Sequence, residues 1–449
     1  MIQFIKKEDE VIMTDEKHIY IVDVTNRDGV QTSRLGLAKL QKTIINLMLD
    51  DMGITVSEFG FPVTKHERNY LNGNLELVDV GAITKTRLSG WLRGIKPDVI
   101  ESFTEVPRLK YANLSVSTSE QMIKGKYGGK KTFNDIIELT NEAIETARTY
   151  GAIEVGVNGE DSSRTNLDDL IKFAIEAKKH GANRFRYCDT LGFDNPHSAY
   201  SRIFEIAKAT QMPIETHFHN DLGMAVGNSV MGAKAAIDAG VDAYINTAVN
   251  GMGERAGNAD LVSCILAILK SSELSGTYKL DPNIDLSKAW KLAKYTAYAF
   301  GIPIPVNQPA VGDNAFAHES GIHADGALKD RRNYELYDYE ELGRGEPEVI
   351  ETGRMITTGE YGGIKGFRNV YENLEIEFKD EDEARNILEL VRCANVHTQK
   401  PLTDSELRFI YHYPSIAAKI MTTTPYYMPT GELEKRINER PTVTSQAIV

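Results

Sequence analysis

The sequence predicts an α/β protein: a (β/α)8 barrel of the TIM type followed by a smaller, mainly helical C-terminal subdomain. Three observations predict it. Eight short β-rich runs recur between residue 18 and about residue 250. Segments with helical spacing of apolar residues separate them, two of them closed by a glycine, Gly181 and Gly240. Polar residues cluster just after each run, where a barrel of this kind places its chemistry.

In chain order the strand runs are 18–24, 54–60, 86–92, 111–117, 152–158, 183–189, 213–219 and 243–249. Each is short, rich in β-branched or aromatic residues, and bounded by turn formers. Between them, Leu35 to Leu49 has helical periodicity, as do residues 167–180 ahead of Gly181 and Val230 to Ala239 ahead of Gly240. The run 99–106 follows Pro97 and is read as the third helix. Strands alternating with helices pair in parallel, and a count of eight over roughly 250 residues selects a closed barrel. Residues 1–275 are assigned to the barrel and 276–449 to C-terminal subdomains. After residue 370 too little chain remains for a paired amino-acid-binding regulatory domain, and none is expected.

Composition bounds the function. A charged fraction of 26% and a hydrophobic fraction of 41% are those of an ordinary globular protein. A net charge of -13 disfavours nucleic acid and anionic membranes as partners. Cys188, Cys264 and Cys393 are too scattered for a zinc ribbon or a disulfide framework, which fits the cytoplasm. Residues 1–10 contain no long apolar core, and no run approaches the length of a membrane span.

The strand-seven run I-E-T-H-F-H holds two histidines one residue apart. Strand side chains alternate faces, so His217 and His219 point the same way, roughly 7 Å apart along the strand. Two imidazoles and one carboxylate make a facial ligand set that leaves positions open on a divalent ion. Asp28 is the expected carboxylate, because strands one and seven are near neighbours in a closed barrel. Such a centre suits a 2-oxo acid, chelated through its carboxylate and keto oxygens. Arg27 offers a fixed donor fork for an oxygen anion, and Gly29 lets the backbone approach closely. Arg164, at the end of strand five, is the expected donor to a distal carboxylate, with Arg93 next in line.

Four ordered motifs sharpen this picture: D-V-T-N-R-D-G-V-Q (23–31), H-F-H-N-D-L-G (217–223), N-G-M-G-E-R-A-G-N (250–258) and H-E-S-G-I-H-A-D-G (318–326). Together they resemble the DRE-TIM metallolyases, and within them the Claisen-condensing branch of isopropylmalate, homocitrate, citramalate and Re-type citrate synthases. The resemblance implies acetyl-CoA as co-substrate, a 2-oxo acid, a divalent metal ion (Mn2+, Mg2+, Co2+ or Zn2+) and a homodimer. It places Asp28, His217, His219 and Asn258 at the metal. Arg27 falls on the arginine that steadies the carbonyl oxygen, and Gln31, Glu58 and Thr190 on substrate-side positions. Glu160 falls on a catalytic carboxylate, while His323 and Tyr334 match a catalytic pair reaching in from the subdomain. His318 matches no catalytic position and is read as structural.

Departures narrow the branch. The loop after strand eight has no cysteine, which favours condensation over cleavage. Asn26 and Val30 stand where the first motif usually has Leu and Glu. Met122 takes the place of a histidine common in homocitrate synthases, and G-E-Y-G-G (359–363) replaces G-K-x-S-G. The resemblance is then strongest to the Re-type citrate synthases, which use oxaloacetate. Homocitrate synthase, using 2-oxoglutarate, is the alternative, followed by isopropylmalate and citramalate synthases. A barrel retained only as a binding protein would have lost site chemistry, and no expected ligand or catalytic position is lost here.

Overall fold

The structure, a computed structural model, describes residues 16–348 and 352–423. The N-terminal run 1–10 and the polar tail beyond 423 lie outside the described residues. The eight expected strands are all present: β1 His18–Asp23, β2 Val56–Gly60, β3 Arg87–Arg93, β4 Tyr111–Ser117, β5 Glu154–Glu160, β6 Arg184–Asp189, β7 Ile214–Phe218 and β8 Ala243–Thr247. All pair in parallel in sequential order, and β1 pairs with both β2 and β8, so the sheet closes into a barrel. A two-residue strand, β9 (Lys279–Leu280), adds beside the start of β1, so the sheet runs past residue 275.

The barrel helices are α1 Lys39–Met52, α2 Arg68–Asp79, α3 Lys96–Glu105, α4 Glu120–Tyr127, α5 Phe133–Thr149, α6 Leu167–Lys179, α7 Pro196–Thr210, α8 Ala225–Asp238 and α9 Leu261–Lys270. The third helix begins at Lys96, with Pro97 in its first turn, where a missing N–H costs nothing. α6 stops because Gly181 takes φ +107°, which lets its N–H reach back to Lys178. Phe59, Phe185 and Phe218 turn outward under these helices and are fully buried, Phe185 edge-on to Phe173 of α6. That apolar layer between sheet and helices is the core.

Beyond the barrel lie α10 Ala289–Phe300, α11 Gly321–Lys329, α12 Ile364–Asn373, α13 Glu381–Thr398, α14 Asp404–His412 and α15 Pro414–Met421. α15 docks on α2 so closely that a Cβ on Gly73 would sit 2.4 Å from Ile420 Cγ2. α11 behaves differently: none of its residues is buried.

The barrel interior is not the usual stack of branched aliphatics. Arg184 and Arg186 on β6, Glu215 on β7, Glu154 on β5, Glu58 on β2 and Arg87 on β3 alternate in charge through direct contacts. The chain of pairs continues from Glu58 to Arg27 and on to Asp28. This ladder leads up the barrel toward the ends of the strands.

Candidate active site

At the C-terminal end of the barrel a cavity of about 290 Å³ is lined by Arg27, Asp28, Gln31, Trp91, Glu160 and Arg186 among others. His217, His219, Thr190 and Arg255 complete its wall. Asp28 follows β1, and its carboxylate oxygen Oδ2 lies 3.6 Å from His217 Nε2 and 3.8 Å from His219 Nε2. The three ligand atoms fall within 4.8 Å of one another, and all three residues are buried. Among the described residues no other cluster of His, Cys, Asp or Glu meets that geometry.

The surroundings fix the His217 tautomer. Asn246 on β8 donates its Nδ2 to Glu215 Oε1 at 2.8 Å, so its Oδ1 must face His217. His217 therefore donates its Nδ1–H there, at 2.8 Å, and its Nε2 lone pair points at Asp28. Burial, with His219 beside it, holds the His217 imidazole neutral, its pKa pushed down to about 3. His219 is likewise lowered by burial. Burial alone would raise the Asp28 carboxyl, but Arg27 above all keeps it ionised, well below the usual carboxylate range.

Asn258 donates Nδ2 to Asp28 Oδ2 at 2.9 Å, while its own Oδ1 is buried without a partner. It hangs from a loop that requires glycine at 257. Gly257 takes φ +92°, and a Cβ there would lie 2.0 Å from the Gly251 carbonyl oxygen. Two neutral imidazoles, an ionised carboxylate and an orphaned amide oxygen fit a divalent cation with N/O preference.

Arg27 is anchored by Glu58, which accepts from its Nε at 2.6 Å, and its Nη1 lies 2.9 Å from Asp28 Oδ1. Its guanidinium also sits 5.9 Å from the Trp91 ring centroid. Asn26, the departure beside it, is buried and donates to Lys42 O and Asn46 Oδ1, pinning this loop to α1. Glu160 lines the cavity and accepts from Ser117 Oγ and Lys126 Nζ. Thr190 accepts from the Asp161 backbone N–H.

Several expected site residues lie elsewhere. Glu58 is fully buried below the cavity, accepting from Arg27, Arg186 and Asn113, and is not on its lining. It is a counter-ion for two arginines, with burial opposed chiefly by Arg186 and its pKa held at about 2. Arg164 forks onto Asp161 and lines a separate hollow with Lys124 and Lys131. Arg93 turns out to Asp98 with a side chain 64% exposed. Neither arginine reaches the cavity, because each found a carboxylate within five residues of chain.

His323 and Tyr334 stack with ring centroids 4.2 Å apart, and neither is among the residues that line the cavity of this chain. His318 holds Glu335 at 3.1 Å beside them, which suits a structural role. Sequence reasoning missed Arg186, Asn246, Trp91 and Arg255. A signal for the first was present: R-F-R on β6 puts Arg184 and Arg186 on one face, beside Glu215, which shares the histidines' face of β7.

Comparison with known proteins gives the family. Residues 18–295 match the family described as HMGL-like, and 310–398 match a domain described as homocitrate synthase post-HMGL domain-like. A relative named citrate (Re)-synthase, from Dehalococcoides mccartyi, is 59% identical over 91% of this chain and 98% of its own length. A 2-isopropylmalate synthase from Caldanaerobacter subterraneus is 37% identical over 88% of this chain and 96% of its own. A homocitrate synthase from a Nostoc species is 32% identical over 87% and 96%. Among solved structures, hydroxymethylglutaryl-CoA lyase from Pseudomonas aeruginosa shares the fold, with a TM-score of 0.51 at 18% identity, covering 64% of this chain and 95% of that one. The chain therefore belongs to the HMGL-like family, in the Claisen-condensing branch of the DRE-TIM metallolyases.

Proposed function

We propose that this protein is an acyltransferase that condenses acetyl-CoA with oxaloacetate, giving citrate and free CoA. The observation that carries this reading is the 59% identity, over nearly the whole chain, to a protein named citrate (Re)-synthase. The site chemistry supports it. Asp28, His217 and His219, with Asn258 beside them, would hold the divalent ion, which supplies Lewis acidity toward the 2-oxo group and charge to offset its carboxylate.

Arg27, fixed by Glu58 and Asp28, presents its remaining N–H groups to the keto oxygen as that oxygen becomes an alkoxide. A base removes a proton from the acetyl methyl group, and the resulting carbon bonds to the ketone carbon. Water then cleaves the citryl thioester, releasing CoA and making the sequence irreversible. His323 supplies an imidazole as that base, and Tyr334 stacked against it offers a hydroxyl to the thioester oxygen. Glu160, on the cavity wall, is the carboxylate that would hold the imidazole.

We further propose that the pair serves the cavity of a second copy in a homodimer. No residue of α11 is buried, and Ile322, Leu328 and Leu336 are 71–89% exposed on and beside it. Such a face calls for a partner. Among the described residues no helix is long and apolar enough to cross a membrane.

Thiol release measured with a panel of 2-oxo acids tests the reading. Oxaloacetate is expected to give the fastest release; a strong preference for 2-oxoglutarate or 2-oxoisovalerate overturns it. The native metal among Mn2+, Mg2+, Co2+ and Zn2+ is read from metal content and reconstitution of the same protein.

A further inference from the structure

Oxaloacetate carries a second carboxylate that the metal ligands and Arg27 do not reach in the reading above. The cations lining the cavity are Arg27, Arg186 and Arg255. Arg27 is committed to the keto end by Asp28. Arg255 sits at the rim, 39% exposed, with its fork on Asp221 and its Nη2 also on the Thr190 carbonyl. Arg186 is different. Its side chain is 1% exposed, its Nη atoms hold Glu58 and Glu215, and its Nε–H is buried with no acceptor.

A buried guanidinium N–H without a partner is rare, and a ligand oxygen is one thing that completes it. Asn158, across the β5–β6 pairing from Arg186, also lines the cavity and has a buried, unpartnered Oδ1. With its amide turned over, it would offer an NH2 to the same oxygen.

We infer that Arg186, assisted by Asn158, binds the distal carboxylate and sets the length of the dicarboxylate this enzyme accepts. The inference rests on the condensation reading above and names the donor within that site. Register supplies the length. Arg186 pairs with Glu215, and Cys188 with His217, so Arg186 lies two residues below the metal-binding layer, roughly 7 Å along the strand. A four-carbon 2-oxo dicarboxylate held at its keto end extends down the barrel axis toward that guanidinium. A fifth carbon would drive the carboxylate into Glu58 and Glu215.

Charge agrees with this placement. The ladder joins Arg27, Arg87, Arg184 and Arg186 to Asp28, Glu58, Glu154 and Glu215, one guanidinium for each carboxylate. The interior is thus balanced before ligands arrive, and a divalent ion and a doubly charged substrate keep it so.

The test compares oxaloacetate with pyruvate, which lacks the distal carboxylate. The wild-type protein should favour oxaloacetate in kcat/KM by about 10⁴-fold, as sites built to pair a polar group do. Arg186→Lys keeps the charge opposite Glu58 and Glu215 but loses the fork. It should cut that preference at least tenfold. Titration calorimetry of oxaloacetate, without acetyl-CoA, should weaken by the same factor.

A folded Arg186→Lys variant with the wild-type preference overturns the inference, as does a wild-type preference under tenfold. If Arg186→Lys does not fold, a crystal structure of the wild-type protein with metal and oxaloacetate decides. A second carboxylate within hydrogen-bonding distance of Arg186 Nε supports the inference, and one placed on Arg255 overturns it. Failure of the reaction assignment looks different: the wild-type protein would then turn over 2-oxoglutarate and leave oxaloacetate untouched.

Discussion

Glu58 is where the charge ladder of the barrel meets the active site, and replacing it tests what that ladder is worth. Its carboxylate accepts from Arg27 Nε at 2.6 Å, Arg186 Nη2 at 2.7 Å and Asn113 Nδ2 at 2.8 Å, with no exposure to solvent. Burial raises its pKa, but Arg186 and Arg27 outweigh burial and hold it at about 2, against 4.5 for an ordinary glutamate. A depression of that size corresponds to roughly 3 kcal/mol of folding stability. Breaking a buried ion pair by removing one partner costs a similar amount, about 3–5 kcal/mol. Glu58→Gln keeps the shape and removes the charge, so it should cost about 3 kcal/mol at pH 7.

The sign of the pH effect follows from the folded pKa being the lower one. The stabilisation is complete above the unfolded value of 4.5 and is lost as pH falls through 2. At pH 3 the wild-type protein should have lost about 2 kcal/mol from this group, and Glu58→Gln should lack that component. Urea unfolding at both pH values measures it. Equal stability of the two proteins at pH 7, or equal acid sensitivity, would refute a stabilising role for the ladder at Glu58. Loosening of Arg27 should also lower kcat/KM.

Other substitutions probe the rest of the site. His217→Ala or His219→Ala should abolish stoichiometric divalent metal and activity while circular dichroism stays unchanged; retained metal would make them core residues. Asn246→Ala should lower metal affinity by about 10–100-fold, because the hydrogen bond that fixes the His217 tautomer is lost. Arg164→Ala should leave the KM for oxaloacetate within about twofold of wild type, since its partner is Asp161 outside the cavity. His323→Ala should lower kcat by about 10²–10⁴-fold. Mixed with His217→Ala before reassembly, it should recover about one quarter of wild-type activity if the histidine serves the partner's cavity. No recovery would keep His323 working within its own chain.

The sequence revealed strands well because each is a short run that the barrel buries on its outer face, bounded by caps and turns. All eight runs overlap their strands within two residues at either end. The meeting of Asp28, His217 and His219 was legible for the same reason: period-two spacing puts the two histidines on one face, and the barrel closure brings Asp28 to them. Arg164 and Arg93 misled because a strand-end arginine looks the same whether it faces a cavity or a nearby carboxylate. Asp161 and Asp98 decide that, and their positions depend on backbone turns, Asp161 itself taking φ +67°. Glu58 misled in a related way. Its role comes from Arg186 on a strand far along the chain, and only the closed barrel shows that the two touch. Asn246 was invisible because nothing in A-Y-I-N-T marks it as the partner of His217.

The most direct measurement supplies the purified protein with isotopically labelled acetyl-CoA, oxaloacetate and a divalent metal, and follows the product by NMR. Label should appear in a methylene of citrate, with one CoA released per citrate formed and no product from the His217→Ala protein. Absence of labelled citrate from the metal-loaded wild-type protein, or labelled homocitrate formed in preference when 2-oxoglutarate is present, would contradict it.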